Sequence, residues 1–403
     1  MNRMSSLSPS LHGTSSGSSP AGRIDPAELG RAYETCVEKI RRNIVRLADE
    51  PKSYAHAVDG NYFNFEEGFF DIDNWTSSFF TGMALLAFAT TKDPHFLQQV
   101  NRLADAYRKK VFQHSMDTMH DLGFLYSLYS VAAYKLTGDP DHRRTALRAA
   151  DELAKRFNPK GGYIRAWGRM DDPNADYIGM TIIDCMMNLP LLFWAARETG
   201  ARHYHEIAVQ HADTTMRCFV RSDDSVYHSY QFDLATGAPL YGDNYCGYDV
   251  DTHWARGTPW AVYGFALAHG YTGDEKYLET SLRLARKFIA CLDKEVVPLW
   301  DFQLPPGAER LRDSSAAAVA VCGFYELLKH RPGDRLLADA AEALLGRLCS
   351  ADYLDADSRC PGMLKNGQVG DEVRSAQNAY TSWGDYFLME ALARRIHGQS
   401  VFW

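Results

Sequence analysis

Apolar residues recur at helical spacing through almost the whole chain, in two alternating styles. Residues 94–112, 140–157, 201–220, 275–292 and, more weakly, 335–349 are charged on one face and apolar on the other. Residues 122–136, 189–199, 260–271 and 314–328 are apolar nearly all round. A helix apolar on every side is a buried one, so the pattern predicts alternating inner and outer helices. Each inner segment ends near Thr-Lys-Asp93-Pro, Thr-Gly138-Asp-Pro, Thr-Gly200-Ala, Thr-Gly273-Asp or Arg331-Pro-Gly-Asp334, and an amphipathic segment follows at once. A helix over 26–47, one opened by Trp75 and a last one from Ser382 to Ile396 bring the count to about twelve. Repeats spaced by tens of residues mark an array. The predicted fold is all-α, an (α/α)6 barrel of six helical hairpins. A right-handed solenoid of the same hairpins is the alternative, but a solenoid needs polar capping ends. The only strand signal, Ser225 to Asp233 followed by Pro239 to Tyr241, predicts a small β-hairpin inserted at the active-site rim.

At 403 residues, 46% of them hydrophobic, the chain is long enough for one large core. Residues 1–22 are Ser/Pro/Gly-rich without an apolar stretch, which predicts a disordered N-terminal segment before a single (α/α)6-barrel domain over 23–403. The net charge of −8 and the lack of a Lys/Arg run argue against nucleic acid as a partner. No apolar run is long enough to span a membrane. Eight cysteines without a C-x-x-C pair suggest neither a disulfide framework nor a zinc site. A cytoplasmic location is the simplest expectation.

Candidate chemistry gathers in the segments that precede inner helices: Asp73-Asn-Trp75, Met119-His120-Asp121, Ile183-Asp184, His253-Trp254-Ala-Arg256-Gly-Thr258-Pro-Trp260, Arg312-Asp313-Ser-Ser315 and Ser382-Trp383-Gly-Asp385. Tyr227-His228 joins them from the hairpin. Inner helices run parallel, so their N-termini share one end of the barrel, with dipole ends that favour an anion. Asp184 stands alone in the apolar run from Tyr177 to Trp194, and burial raises a carboxyl's pKa and keeps it protonated for donation. Asn188, before Leu189-Pro190, reads as the cap of the next helix, leaving Asp184 without an obvious structural task. Asp313 and Asp385 read first as N-caps, whereas His120 and Gly123-Phe beside Asp121 favour function there. Trp75, Trp254 and Trp260 read either as core or as sugar-stacking faces near carboxylates. Arg256 offers a rigid fork for a carboxylate, or a bridge to Asp249 or Asp251.

Together, Asp73-Asn-Trp-Thr-Ser-Ser-Phe-Phe-Thr-Gly, His120-Asp-Leu-Gly-Phe, Ile183-Asp-Cys-Met-Met-Asn-Leu-Pro, Trp254-Ala-Arg-Gly, Arg312-Asp-Ser-Ser-Ala-Ala and Ser382-Trp-Gly-Asp-Tyr resemble the unsaturated glucuronyl hydrolases, from about residue 30 to the C-terminus. The resemblance implies an (α/α)6 barrel acting without metal or other cofactor on unsaturated uronate-containing disaccharides or oligosaccharides left by polysaccharide lyases; monomer and homodimer are both open expectations. It implies hydration of the C4=C5 vinyl ether rather than attack at the anomeric carbon. Asp184 would be the general acid/base and Asp121 the second essential aspartate; Trp75, His120, His228, Trp254, Arg256 and Trp260 would line the unsaturated uronate. The chain departs from the family pattern at Tyr245-Cys246-Gly247, where His-Gln-Gly is usual, and at Thr258-Pro259, where Gln-Ala is common. Cys246 thus occupies a substrate-binding position with a smaller, less polar group. An unsaturated rhamnogalacturonyl hydrolase, a sugar 2-epimerase and an inactive sugar-binding barrel are the competing readings.

Overall fold

The computed structural model of the chain describes residues 24–47, 57–62, 75–172, 177–370 and 377–403. The Ser/Pro/Gly-rich segment expected over 1–22, and Asp73-Asn74, lie outside the described residues. Six outer helices, α1 (Pro26–Leu47), α3 (Leu97–Gln113), α5 (Pro140–Lys155), α7 (Arg202–Cys218), α9 (Glu275–Cys291) and α11 (Arg335–Cys349), alternate with six inner ones among the described residues. The inner set is α2 (Ser77–Thr91), α4 (residues 122–137), α6 (Leu189–Thr199), α8 (Gly257–Thr272), α10 (Ser314–His330) and α12 (Ser382–His397). Within α4 a π-helical turn, Ser127–Val131, separates α-helical Leu122–Tyr126 from Ala132–Thr137. Helix α12 packs against both α10 and α2, so the ring closes and the solenoid alternative fails.

The recurring turn has one local cause. Inner helices stop at a left-handed residue, Lys92, Gly138, Gly200 or Gly273, which glycine adopts without a side-chain penalty. Asp93, Asp139, Asp274 and Asp334 then accept a backbone N–H two or three residues on and start the next outer segment.

The described strands form two small sheets. A hairpin pairs β1 (Phe157–Asn158) with β2 (Tyr163–Ile164). A second sheet has the order β3 (Met180–Ile182), β4 (Ser229–Phe232), β5 (Pro239–Asp243). β4 and β5 are the expected hairpin; β3 is an addition, drawn from the apolar run that carries Asp184. Its pairing of Ile182 with Ser229, extended by Ile183 N–H donating to His228 O at 2.8 Å, sets Asp184 beside His228.

Candidate active site

At the N-terminal end of the inner helices the rim segments meet in one chain of contacts. Trp75, half-buried, stacks on Trp383 with ring centroids 4.8 Å apart. The Arg256 guanidinium lies 5.2 Å from the Trp383 ring and 4.7 Å from that of Trp254. Trp254 packs edge-on against His228 at 4.7 Å, and His228 Nε2 lies 3.5 Å from Asp184 Oδ2. On the other flank His120 Nε2 lies 3.3 Å from Asp121 Oδ1.

Asp121 occupies the N-cap position of α4, yet its carboxyl makes no cap hydrogen bond. Burial, and then the charge of Asp184, push its pKa up to about 7, against the opposing pull of Arg156. The Asp121 carboxyl therefore keeps its proton up to about neutral pH. The sequence points to Asp184 as the raised carboxyl; in the structure the raised carboxyl is Asp121. Burial, then the Arg156 charge, hold His120 well below the usual imidazole range, so it is neutral.

Arg156, which the sequence does not single out, is almost fully buried at the end of α5. It donates to the carbonyls of Thr118 (2.7 Å), Arg165 (2.9 Å), Ala166 (3.1 Å), Trp167 (3.2 Å) and Gly168 (3.0 Å). Ala166 O also accepts from His120 N–H at 3.0 Å, so Arg156 fixes the segment that carries His120-Asp121. Burial lowers its pKa to about 10, which leaves it cationic opposite Asp121 at neutral pH.

His228 is oriented by Cys246, whose backbone N–H donates to Nδ1 at 3.2 Å. Burial opposes a charged ring here, whereas Cys246 and Asp184 beside it favour one, and the net direction is upward. A second proton on Nδ1 would have to displace the Cys246 N–H, so the ring faces Asp184 as an Nε2 donor. The Cys246 side chain interacts with His228 and thus belongs to the site wall. Replacing Cys246 with Gln is expected to narrow the range of leaving sugars, because an amide adds a hydrogen bond worth about 1 kcal/mol. The check is kcat/KM across unsaturated disaccharides with different second sugars; an unchanged ranking and spread would show that position 246 does not sense the leaving group.

Arg256 does not bridge Asp249 or Asp251. Its Nη1 donates to Asp313 Oδ2 at 2.5 Å, to Ser315 Oγ at 3.3 Å and to Gln368 O, and its Nη2 to Val369 O at 2.7 Å. The fork is thus occupied by α10 and the 366–370 loop, which leaves Nε without a partner among the described residues. Asp313 caps α10 as expected, accepting from Ser315 N–H and Ala316 N–H. Asp385 does not cap α12: Thr381 does, and Asp385 instead accepts from Met363 N–H (3.0 Å) and Leu364 N–H (2.7 Å). Arg256→Lys should raise KM more than it lowers kcat and should also lower Tm, since one ammonium cannot serve Asp313 and two loop carbonyls together. Steady-state kinetics with a thermal melt tests this; a fall in kcat at unchanged KM would assign Arg256 to the transition state.

The tryptophans do not present exposed faces in the way the sequence suggests. Trp260 is fully buried, edge-on to Phe124 and Phe387, and forms the floor. Trp254 is buried beneath His228. The indole N–H groups of Trp254, Trp260 and Trp383 nevertheless have no acceptor among the described residues. With Arg256 Nε they are four buried donors at this end of the barrel without a partner among the described residues, a set suited to an anionic, acceptor-rich ligand. Thr258 is not part of that set, for its hydroxyl lies 2.6 Å from His253 Nε2.

Comparison with known proteins accords with this geometry. The model of glycosyl hydrolase family 88 matches residues 51–344. An unsaturated glucuronyl hydrolase of Bacillus sp. (strain GL1) is 34% identical over 366 residues, which are 90% of this chain and 95% of that protein. The crystal structure of the unsaturated glucuronyl hydrolase from Bacillus sp. GL1 superposes with a TM-score of 0.84 at 33% identity, covering 92% of this chain and 97% of the other. An unsaturated chondroitin disaccharide hydrolase of Streptococcus pyogenes serotype M1 is 33% identical over 387 residues, 94% of each chain. A mutant unsaturated glucuronyl hydrolase from Streptococcus agalactiae, complexed with dGlcA-GalNAc6S, has a TM-score of 0.80 at 26% identity and 95% coverage of both chains.

Proposed function

This chain belongs to glycosyl hydrolase family 88, and from that premise we propose that it releases a 4,5-unsaturated uronic acid from the non-reducing end of lyase-generated oligosaccharides. The observation that carries this reading is the raised Asp121 carboxyl, under the charge of Asp184, at the end of the barrel where four buried N–H donors have no partner among the described residues. A 4,5-unsaturated uronate is planar at C4 and C5, anionic and rich in acceptors, which suits those donors.

The C4=C5 bond carries the ring oxygen on C5, so it is a vinyl ether whose nucleophilic carbon is C4. Asp184 delivers the proton held by the pair to C4, and positive charge develops at C5 and the ring oxygen. Asp121, ionised after the transfer, faces that charge and the ring hydroxyls. Water then adds to C5 and gives its proton to Asp184, which restores the pair. The resulting hemiketal opens at its C5–O bond, and the exposed hemiacetal at C1 releases the neighbouring sugar. His228 faces Asp184 through Nε2 at 3.5 Å and orients it, while neutral His120 lies beside Asp121. Trp75, Trp254, Trp260 and Arg256 hold the ring and its carboxylate.

The eight cysteines are free, which suits a reducing, cytoplasmic setting. Among the described residues no helix is long and apolar enough to cross a membrane. A substrate comparison tests the reading: an unsaturated chondroitin disaccharide is turned over, while its saturated counterpart, which has no vinyl ether, is not. Equal turnover of both would reject it, and faster turnover of an unsaturated rhamnogalacturonan fragment would favour the sister class instead.

A further inference from the structure

The cap of helix α4 is supplied from outside its own segment. Asp121 occupies the N-cap position and aspartate is a preferred cap, so its carboxyl would ordinarily accept the N–H of Phe124, three residues on. That N–H donates instead to Asn188 Oδ1, at 2.7 Å. Asn188 lies at the N-cap position of α6, yet makes no cap bond to its own helix; its Nδ2 donates to Asp184 O at 3.4 Å. It is fully buried. Gly123 makes the contact possible, because a Cβ there would lie 2.2 Å from Asn188 Cα and 2.5 Å from Asn188 O, both backbone atoms that cannot yield.

We propose that Asn188 is a positioning residue that caps α4 in place of Asp121, and so leaves the Asp121 carboxyl free to face Asp184 and the substrate. The inference rests on the reading of the two aspartates as the reacting pair and assigns a task to a third residue. Without Asn188 Oδ1, the Asp121 carboxyl can take the cap role that its N-cap position favours. A carboxylate turned onto that N–H is stabilised in its charged form, so it gives up the proton that burial and the Asp184 charge make it hold. The groups that face Asp121 are His120 from its own segment, Asp184 and Cys185 from the turn before α6, and Arg156 from the end of α5.

The experiment is the pH dependence of kcat on an unsaturated chondroitin disaccharide for wild type, Asn188→Ala and Asn188→Asp, with a thermal melt of each. In Asn188→Ala the pH above which kcat declines should drop by about one unit or more, because each unit of pKa changes the protonated fraction about tenfold at a fixed higher pH. The variant should thus be about tenfold slower or worse at neutral pH, regain rate on acidification, and keep its KM. Asn188→Asp keeps the acceptor for Phe124 N–H and adds negative charge, so its decline should stay at or above the wild-type pH. Asn188→Ser carries the same test as Asn188→Ala if the latter does not fold, since the shorter hydroxyl cannot span the gap. A decline at the wild-type pH in the Ala or Ser variant overturns the inference whether or not kcat falls, for a purely structural defect is not relieved by acid. Activity retained by Asp121→Asn would instead reject the underlying reading of the pair.

Discussion

Asp184→Asn abolishes turnover and leaves substrate binding nearly intact. The amide keeps the shape of the carboxyl and preserves the turn between β3 and α6, which is set by Ile183 N–H on His228 O and by the sheet register, neither of which uses the side chain. His228 Nε2 still finds an oxygen to face. What disappears is a group able to give a proton to carbon and take one from water. General acid–base help contributes about 10²–10⁴-fold, and here one residue serves both halves of the reaction, so the loss in kcat sits at or beyond the upper end of that range. Kinetics at saturating substrate, with an independent titration of affinity, measures the two terms separately. An Asp184→Asn enzyme with most of its kcat would remove the acid/base role from this residue.

Asp121→Asn should lower kcat by a comparable factor while making the folded protein more stable in alkaline buffer. The carboxyl is pushed from an ordinary value of 3.8 to about 7 by burial and by Asp184. Its folded-state pKa is thus raised, and between those values the native state holds a proton that the unfolded chain has lost. The group's contribution to stability therefore falls as pH rises from about 4 to about 7, and above that a charged carboxylate stays in a site that disfavours it. Asparagine cannot ionise, so the variant's Tm should exceed that of wild type at pH 8, and the difference should vanish near pH 4. A variant less stable than wild type at pH 8 would show that the Asp121 carboxylate is comfortable in the resting site. Activity gained at the expense of stability is a common cost where like charges are held together for chemistry.

Much of the architecture was readable because its causes are local. The Thr-Gly-Asp turns end one helix and cap the next within a few residues, so the alternation of inner and outer helices lay open in the pattern. The gathering of His120, Asp121, Asp184 and Trp254 at one end followed from inner helices running the same way. Strand β3 was hidden because a short apolar run such as Met180-Thr-Ile-Ile does not distinguish a strand from buried helix. The partners that define individual roles were hidden for a different reason: they are distant in sequence. Arg256 meets Asp313 57 residues away, and Asn188 meets Phe124 at a separation of 64. In each case the side chain looked free, as a clamp or as a cap, while the tertiary fold had already assigned it. Arg156 gave no signal at all, since its five carbonyl partners carry no sequence mark.

The central claim is that the sugar is released because C4=C5 is hydrated. Following double-bond absorbance and reducing-sugar release together, on one unsaturated chondroitin disaccharide with wild-type protein, tests it most directly. The account predicts that the absorbance falls in step with sugar release throughout the time course, and that both stop together in Asp184→Asn. Sugar release that runs ahead of an undiminished absorbance would mean that the glycosidic bond is cut at C1 with the double bond intact, and would contradict it.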